Sequence, residues 1–310
     1  MRTTFIRTLE KLAELNKNIV LLTGDLGFSV FEDFQKKFPD RFFNVGIAEQ
    51  NMAGLAAGLA LNGKKVFIYS IIPFVTFRCL EQIRNDICYP NLDVVIVGVG
   101  SGVSYGSAGF SHHAIDDVGA LKSIPNLTIL APSDPLEVER LVLECVDYKH
   151  PVYLRLGKNN EVSINDPEID IKIGKAHYVY KGKDIALVTY GNIIEEVNSA
   201  CKKLGTLGRN VSLVSVPTLK PMDVSFFQNL FETHKYIFII EEHNKIGGLG
   251  DSIFRINKNN LNRNIFEHLA VNDQFLCGAG NNKYFRKELG LDSEAIFNSV
   301  IRVLEKSLDS

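Results

Sequence analysis

Residues 92–100, LDVVIVGVG, form a short and almost continuously apolar run that ends in glycine. Runs of the same kind lie elsewhere in the first half of the chain, NIVLLTG at 18–24, KKVFIYS at 64–70 and LTILAP at 127–132. Such runs are typical of strands that are buried on both faces of a parallel sheet. Amphipathic stretches between them predict helices at 3–15, 49–61, 77–86 and 135–147. The alternation of the two patterns predicts an α/β fold with a doubly wound, mainly parallel sheet.

The overall composition is that of a soluble globular protein with room for two domains. The chain has 310 residues, 45% hydrophobic and 23% charged, and a single hydrophobic core rarely extends beyond about 250 residues. Its 34 basic and 36 acidic side chains nearly cancel, which excludes the basic surface that nucleic acid selects. No stretch approaches the roughly 18 apolar residues of a membrane helix, and no signal-peptide pattern is visible. We therefore expect a cytoplasmic protein that binds neither nucleic acid nor membrane.

The cysteines indicate neither a disulfide framework nor a zinc site. The five cysteines are scattered, and none belongs to a Cys-x-x-Cys pair. We expect each to be a small core residue, and we assign no metal ligands to this chain.

A change of pattern at 159–183 separates the two halves of the chain. This segment is polar, contains Pro167 and alternates with the period of a strand. Beyond it, the runs DIALVTYG, NVSLVSVPTL and YIFIIEE, with an amphipathic stretch around 194–204, repeat the strand and helix order. We predict a first domain at 1–163, a linker and edge strand at 164–183, and a smaller α/β domain at 184–310.

A carboxylate stands at the start of an unusual helix in residues 44–61, NVGIAEQNMAGLAAGLAL. Glu49 precedes a run of Ala, Gly and Leu, whose small side chains allow close backbone approach. At a buried helix N-terminus, burial favours the neutral carboxyl group whereas the helix dipole favours the ionised one, so such a group is a candidate for proton transfer. The same pattern is also explained by a glutamate that only completes the helix N-terminus.

Resemblance to a known family favours the catalytic interpretation. The segment VGIAEQNMAGLAAGLAL resembles the pyrimidine-binding domain of transketolases and deoxyxylulose-phosphate synthases. The similarity continues through SIIPFVTFRCLEQIRND and GSAGFSHHAIDDVGALKSIPNLTILAPSDPLEV, and EEHNKIGGLGD resembles the C-terminal domain of the same family. The resemblance therefore covers nearly the whole chain and implies two α/β domains, the second being the smaller transketolase C-terminal domain.

The resemblance implies that this chain binds part of thiamine diphosphate. In the family, the glutamate at the position of Glu49 contacts the aminopyrimidine ring and relays the proton that activates the cofactor. The stacking aromatic falls at Phe74, with Phe77 as the alternative, although both also suit a core. Asp25 corresponds to an aspartate at the cofactor and Ser29 to a serine at the substrate phosphate, while a loop aspartate after a strand is often only a turn residue.

The loop GVSYGSAGFSHH at 102–113 matches the family segment G-x-x-T-H-Q. Ser111 replaces the threonine and His113 the glutamine, so that His112 corresponds to the histidine that contacts substrate. Imidazole titrates near neutrality and can exchange protons with sugar hydroxyls. The acidic residue that transketolases place four positions earlier is Ala108 here, which puts the usual recognition of the donor sugar in doubt.

Two basic residues lie in the strand-like run VYLRLGKNN at 152–160. Lys158 stands where relatives carry an arginine for the substrate phosphate, and Arg155 lies just before it. Lysine is a point charge without the bidentate fork of arginine. Two interpretations of Lys158 remain open: it binds an anionic group of the substrate, or it is only a solvated surface lysine.

The resemblance also implies a partner subunit. Transketolases carry an upstream domain whose Gly-Asp-Gly motif and later asparagine hold a divalent metal, Mg²⁺ or Ca²⁺, against the diphosphate. Here Gly24 and Asp25 are followed by Leu26. We expect an N-terminal, diphosphate-binding subunit on a separate chain, in a heterotetramer with two copies of each.

These expectations define a leading hypothesis and two alternatives. The leading hypothesis is a transketolase subunit that moves a two-carbon ketol unit from a ketose, often phosphorylated, to an aldose. The alternatives are the β subunit of a 2-oxo acid dehydrogenase or a deoxyxylulose-phosphate-synthase-like enzyme, and a degenerate subunit that only stabilises its partner. The retained Glu49, Phe74 and His112 argue against degeneration, because a scaffold does not need a buried carboxylate.

Overall fold

The computed structural model describes residues 1–27, 29–158, 161–258 and 263–307. Within these ranges the strands are β1 Ile19–Thr23, β2 Phe42–Asn44, β3 Lys65–Ile71, β4 Val94–Val99, β5 Thr128–Leu130, β6 Val152–Leu156, β7 His177–Tyr180, β8 Ile185–Thr189, β9 Val211–Ser215, β10 Thr218–Lys220, β11 Tyr236–Asn244 and β12 Ile265–Val271.

The α-helices in the same ranges are α1 Arg2–Leu15, α2 Glu32–Lys37, α3 Glu49–Leu61, α4 Ile72–Thr76, α5 Leu80–Gln82, α6 Asp117–Lys122, α7 Pro135–Asp147, α8 Ile194–Thr206, α9 Val224–Thr233, α10 Leu249–Ile256, α11 Asn282–Glu288 and α12 Ser293–Lys306. Short 3₁₀ turns lie at Pro39–Arg41, Gly106–Ala108 and Gly191–Ile193, and a π-helical turn lies at Ile83–Cys88.

Two sheets organise the chain. The first has seven strands in the order β10-β5-β6-β4-β3-β1-β2, and all its pairs are parallel except that of β10 with β5. The second has five strands in the order β12-β11-β8-β9-β7, with only the edge strand β7 antiparallel. Helices cover both faces of the first sheet: α1 and α7 contribute Phe5 and Leu141 to one core cluster, and α3 contributes Met52 to another. The predicted fold class, a doubly wound sheet followed by a smaller α/β unit, is confirmed.

The predicted helices at 49–61 and 135–147 match α3 and α7, and the one at 3–15 matches α1 within a residue. The helix predicted at 77–86 is confirmed in part, because residues 77–79 form a turn whereas residues 80–88 are helical, as α5 and the π-helical turn. Helix α4 begins directly after β3, and the π-helical turn ends at Cys88. Pro73 in the first turn explains the early start, because proline lacks the amide hydrogen that a helix interior requires.

Strand β10 departs from the predicted organisation. The run NVSLVSVPTL suggested one strand of the second domain, but it divides into β9 in the second sheet and β10 at the edge of the first. Pro217 lies at the division and cannot donate a ladder hydrogen bond. Residues 159–160, at the start of the change of pattern, lie outside the described residues, and the predicted domain limits at 163 and 183 stay predictions.

Two other sequence expectations concern cysteines and membranes. Cys79, Cys88, Cys145 and Cys201 are buried, whereas Cys277 is exposed, so the expectation that all five lie in the core is wrong for Cys277. Across the described residues, no helix combines the length and the apolar character that crossing a bilayer requires.

Candidate active site

The predicted site residues follow strands of the first sheet. Asp25 follows β1, Glu49 begins the helix after β2, Phe74 lies after β3, His112 after β4 and Lys158 after β6. Because these strands are parallel, their carboxyl ends meet at one edge of the sheet, which is where ligands bind in such folds. The topology therefore brings segments that are far apart in sequence to one edge.

Glu49 lies at the bottom of an open cleft. Its side chain is 4% exposed and stands at the first position of α3. A cleft of about 490 Å³ is lined by Glu49 together with Ile47, Asn51 and Arg78. Gly24 lies beside the Glu49 side chain, since a Cβ atom at Gly24 would be in ordinary van der Waals contact with Glu49 Cγ, at 3.5 Å. The carboxylate is thus shielded by the protein and still faces a space that a ligand can enter.

Arg78 is a site residue that the sequence reasoning missed. Its Nη1 donates a hydrogen bond to Glu49 Oε1 at 3.0 Å, and its guanidinium lies 4.2 Å from the centre of the Phe74 ring. The sequence contained a signal for this, since residues four apart on a helical segment face each other and arginine pairs with aromatic faces. Arg78 is 48% exposed, so the pair is open to solvent on one side.

A chain of ring contacts links Arg78, the partner of this carboxylate, to the loop at 102–113, which we call the histidine loop. The Phe74 ring lies 5.2 Å from that of His112, edge to face, and the Tyr105 ring lies 5.6 Å from His112. Lys158 Nζ lies 4.6 Å from the centre of the Tyr105 ring. The structure therefore places Phe74, His112 and Lys158 in one continuous surface. Phe77 is 40% exposed, and Phe74 is the aromatic that contacts both Arg78 and His112.

The surroundings of His112 favour a neutral imidazole. Partial burial lowers the pKa of His112 below its usual value, and the neighbouring His113 acts in the same direction. The positive charges of Arg78 and Lys158 lower this pKa further. The Ser111 hydroxyl lies 3.0 Å from His112 Nδ1. A neutral imidazole at neutral pH can accept a proton from a substrate hydroxyl.

Asp25 and Ser29 lie on the exposed loop after β1. The Asp25 backbone is left-handed, with φ 56°, and Asn44 closes the loop by accepting from the Asp25 amide at 2.9 Å and donating to its carboxylate at 3.1 Å. Ser29 donates its amide hydrogen to Glu32 Oε1 at 2.6 Å. Asp25 is adjacent to Gly24, which packs against Glu49, whereas the Ser29 contact is local to its own loop.

Arg155 is not brought to the cleft. Its side chain is 2% exposed, its Nε donates to Asp117 Oδ2 at 2.9 Å, and its Nη2 donates to the Ala114 carbonyl at 2.7 Å. This placement does not support the predicted contact with substrate, because the guanidinium is enclosed by protein acceptors. Arg155 instead anchors the end of the histidine loop at Ala114.

Residues of the second domain pack against the histidine loop. His113 Nε2 donates to the Gly106 carbonyl at 2.9 Å, and the His113 ring lies 4.9 Å from that of Phe285. Arg286 Nε donates to Glu242 Oε1 at 2.5 Å in a buried pair. Gly102 packs directly on Glu242, because a Cβ there would lie 2.6 Å from the Glu242 Cβ. We refer to these contacts from Glu242, Phe285 and Arg286 as the loop support.

Comparison with known proteins identifies the family. Residues 1–162 match the family model for the transketolase pyrimidine-binding domain, and residues 174–296 match that for the transketolase C-terminal domain. The chain belongs to the transketolase family. The resemblance seen in the sequence is thereby confirmed, and the cleft at Glu49 lies in the pyrimidine-binding domain of the transketolase fold.

Several relatives in the transketolase family are similar along most of this chain. It is 36% identical over 263 residues to one subunit of the apulose-4-phosphate transketolase of Actinobacillus succinogenes, covering 85% of each chain. It is 34% identical to a putative transketolase C-terminal section of Methanocaldococcus jannaschii, covering 99% of this chain and 96% of that protein. It is 32% identical to 1-deoxy-D-xylulose-5-phosphate synthase of Bacillus cereus, but spans 47% of that protein.

Solved transketolase structures have the same fold. A split-gene transketolase, solved as an inactive β4 tetramer, superposes with a TM-score of 0.89 at 32% identity, covering 98% of both chains. Transketolase from Campylobacter jejuni superposes with a TM-score of 0.83 at 16% identity, covering 97% of this chain and 46% of that one.

The residues of the cleft fit part of the transketolase cofactor. Members of the family use thiamine diphosphate, whose aminopyrimidine requires a carboxyl group at N1′ and an apolar face. Glu49 offers a shielded carboxylate that faces the cleft. Phe74 offers a half-buried ring, which lies against Arg78, the hydrogen-bond partner of Glu49. Among the described residues, no group of three or more His, Cys, Asp or Glu side chains is placed to hold a metal ion.

Proposed function

We propose that this chain is the C-terminal subunit of a split, thiamine-diphosphate-dependent transketolase, which transfers a two-carbon ketol unit from a ketose to an aldose. The observation that carries the proposal is the placement of Glu49, shielded at a helix start and facing a cleft, beside Phe74 and His112. The names of relatives that match over most of their length, a transketolase subunit and a transketolase C-terminal section, support a split enzyme.

Each side chain has a role in this proposal that its position supports. When bound, thiamine diphosphate supplies the carbon nucleophile that carries the ketol unit. Glu49 exchanges a proton with N1′ of the aminopyrimidine, and Phe74 provides the face on which the ring stacks. His112, neutral at physiological pH, accepts a proton from a sugar hydroxyl. Lys158 supplies positive charge for an anionic substrate group.

A partner subunit completes the site in this proposal. The face of α3 that carries Asn51, Gly54, Leu55, Gly58 and Leu61 is exposed, and Cβ atoms at the two glycines would meet nothing within 4 Å. Ile47, at 77% exposed, continues this face to the lip of the cleft. An open, partly apolar helix face beside a catalytic carboxylate suits docking by another chain. We propose that an N-terminal subunit covers it, holds the diphosphate through Mg²⁺ or Ca²⁺, and forms a heterotetramer with two copies of each chain.

Reconstitution tests the proposal. The chain is purified alone and together with a diphosphate-binding transketolase subunit, and ketol transfer from a phosphorylated ketose to an aldose is measured with thiamine diphosphate and Mg²⁺. We expect transfer only from the pair. Full transfer by the chain alone contradicts the split organisation, and pyruvate decarboxylation without ketose cleavage favours a 2-oxo acid dehydrogenase. Formation of 1-deoxy-D-xylulose 5-phosphate favours the synthase.

A further inference from the structure

The guanidinium of Arg78 makes two contacts at once in the Glu49 cleft. Its Nη1 donates to Glu49 Oε1 at 3.0 Å, and its Cζ lies 4.2 Å from the centre of the Phe74 ring. Because one group makes both contacts, the face of Phe74 that it covers is the one turned toward Glu49. Among the described residues, Arg78 rather than Phe74 forms the wall of the cleft. The ring face proposed for stacking is therefore covered while Arg78 holds this position.

The two contacts of Arg78 are the same two that an aminopyrimidine ring requires. In the proposed function, Glu49 exchanges a proton with that ring and Phe74 stacks on it. A guanidinium is planar, positively charged and has N–H donors in its plane, so it resembles a protonated aminopyrimidine. A planar group stacks on an aromatic ring by covering its face. Two planar groups cannot cover one face together, so Arg78 and the pyrimidine ring exclude each other at Phe74.

The Arg78 side chain is free to move while its backbone is held. Arg78 lies in the turn at 77–79, between α4 and α5. Its neighbour Cys79 is fully buried, and the Phe77 amide donates to the Pro73 carbonyl at 3.1 Å. The Arg78 side chain, in contrast, is 48% exposed. Rotation of this side chain into water therefore needs no change in the fold.

The contacts of Arg78 are weak enough for a ligand to replace them. An ion pair with a half-exposed member is worth little, and an exposed contact between a cation and an aromatic ring is of similar size. Together the two contacts amount to about a factor of ten in affinity. Arg78 can therefore be displaced by a ligand that makes further contacts outside this cleft.

We propose that Arg78 is an internal ligand of the cleft, which holds the Glu49 carboxylate, covers the Phe74 ring and is displaced from both by the pyrimidine ring of thiamine diphosphate. The proposal rests on the proposed function and adds a movement of this chain to cofactor binding. In the arrangement seen here, Arg78 matches a buried carboxylate with a positive charge and shields an apolar ring from water. Cofactor binding competes with these contacts, so removal of the Arg78 side chain should strengthen it.

Cofactor affinity of the reconstituted pair tests the displacement. Thiamine diphosphate is titrated with Mg²⁺ by calorimetry, and we expect Arg78→Ala to bind it about tenfold more tightly than the wild type. Arg84→Ala is the matched control, because Arg84 is exposed on the π-helical turn, bonds to Asn85 and lies outside the lining of the cleft. It should bind as the wild type does. Equal or weaker binding in Arg78→Ala overturns the proposal, and weaker binding makes Arg78 a part of the cofactor site.

A second measurement follows the Arg78 side chain and needs no partner subunit. The hydroxymethylpyrimidine half of thiamine is titrated into the whole chain, and the Nε–H resonance of Arg78, identified by its loss in Arg78→Ala, is followed by NMR. We expect this resonance to shift with saturation toward that of a solvated arginine, while the resonance of Arg84 stays in place. Saturation of other resonances of the cleft with that of Arg78 unchanged contradicts the displacement.

The two measurements separate this proposal from the proposed function. Displacement of Arg78 together with absence of ketol transfer in the reconstituted pair supports the internal ligand and rejects the transketolase activity. Ketol transfer together with an unchanged cofactor affinity in Arg78→Ala supports the activity and rejects the internal ligand.

Discussion

At the scale of single residues, the cleft depends on a carboxylate whose neighbours leave it shielded and yet accessible. Glu49 is 4% exposed, and its partner Arg78 is 48% exposed. An ion pair with one half-exposed member contributes little to stability, about 1 kcal/mol or less. The Glu49 side chain can therefore be replaced with a small effect on stability. A loss of activity in such a variant then reports the chemical role of Glu49.

The first prediction concerns Glu49→Gln. Glutamine keeps the shape of the side chain but cannot relay a proton, so we expect ketol transfer by the reconstituted pair to fall at least about 100-fold. The thermal midpoint of the chain alone should change little. Glu81→Gln, at an exposed position on α5, is the control and should keep wild-type activity. A Glu49→Gln variant with the wild-type rate contradicts the role assigned to this residue.

The second prediction concerns the protonation of His112. Lys158 lowers the pKa of His112 through its positive charge, so Lys158→Met should raise that pKa. Because the neutral imidazole is the form that accepts a proton, function is retained above the pKa and lost as pH falls through it. The loss should therefore begin at a higher pH in the variant.

NMR titration of the histidine rings measures this shift directly. Lys149→Met serves as the control, since Lys149 pairs with Asp93 at 3.0 Å and does not contribute to the His112 shift. A His112 titration that is the same in wild type and Lys158→Met contradicts the electrostatic coupling.

At the scale of structural elements, the histidine loop is a short irregular segment that needs external support. Its two ends are tied together, as the Gly102 amide donates to the Ala114 carbonyl at 3.1 Å and the Ala114 amide donates back at 2.9 Å. The loop support, formed by Glu242, Phe285 and Arg286 of the C-terminal domain, also packs against the histidine loop. Close packing of this kind tolerates no added volume.

The third prediction concerns Gly102→Ala. Gly102 has φ +59°, and an added Cβ would lie 2.6 Å from the Glu242 Cβ, which belongs to β11 and cannot rotate away. We expect stability to fall by more than about 2 kcal/mol, from backbone strain plus overpacking. Gly109→Ala is the control, because Gly109 has φ +80° in the same loop with nothing within 4 Å of the added atom.

Urea unfolding compares the two variants. Gly109→Ala should lose only the cost of its backbone conformation, φ 80° and ψ −173°, which is used almost only by glycine, about 1 to 3 kcal/mol. Ketol transfer should fall more in Gly102→Ala, because the strain reaches the loop that positions His112. Equal losses of stability in the two variants contradict the importance of the contact with Glu242.

At the scale of the whole molecule, the two domains are joined by more than a linker. Strand β10 belongs to the second half of the chain but pairs with β5 in the first sheet. One core cluster contains side chains from both halves, including Ile129 and Tyr153 of the first and Val188 and Leu249 of the second. The open surface that remains beside the cleft is the exposed face of α3, which suits a partner.

The fourth prediction concerns that face. Leu55 is 40% exposed on α3, and burial by a partner would make a charge there costly. Leu55→Lys should therefore weaken assembly with the N-terminal subunit at least about 100-fold, while the thermal midpoint of the chain alone stays the same. Leu207→Lys, at a position 57% exposed after the end of α8, should assemble normally. Sedimentation of the mixed subunits measures both, and normal assembly of Leu55→Lys contradicts docking at α3.

The sequence by itself was sufficient to predict the doubly wound sheet, helix α3 and the position of Glu49 at its start. These features depend on local patterns: continuous apolar runs for strands buried on both faces, and a run of small residues for a closely packed helix. Phe74, His112 and Lys158 were named through the family resemblance, and the parallel strands explain why they meet, because their carboxyl ends lie at one edge of the sheet.

Only the tertiary structure decided the pairing of Arg78 with Glu49, the burial of Arg155 and the transfer of β10 to the first sheet. Each depends on contacts between segments that are distant in sequence. Whether a basic side chain reaches solvent, a carboxylate or a cavity is set by which other elements pack beside it, and no local pattern records that packing.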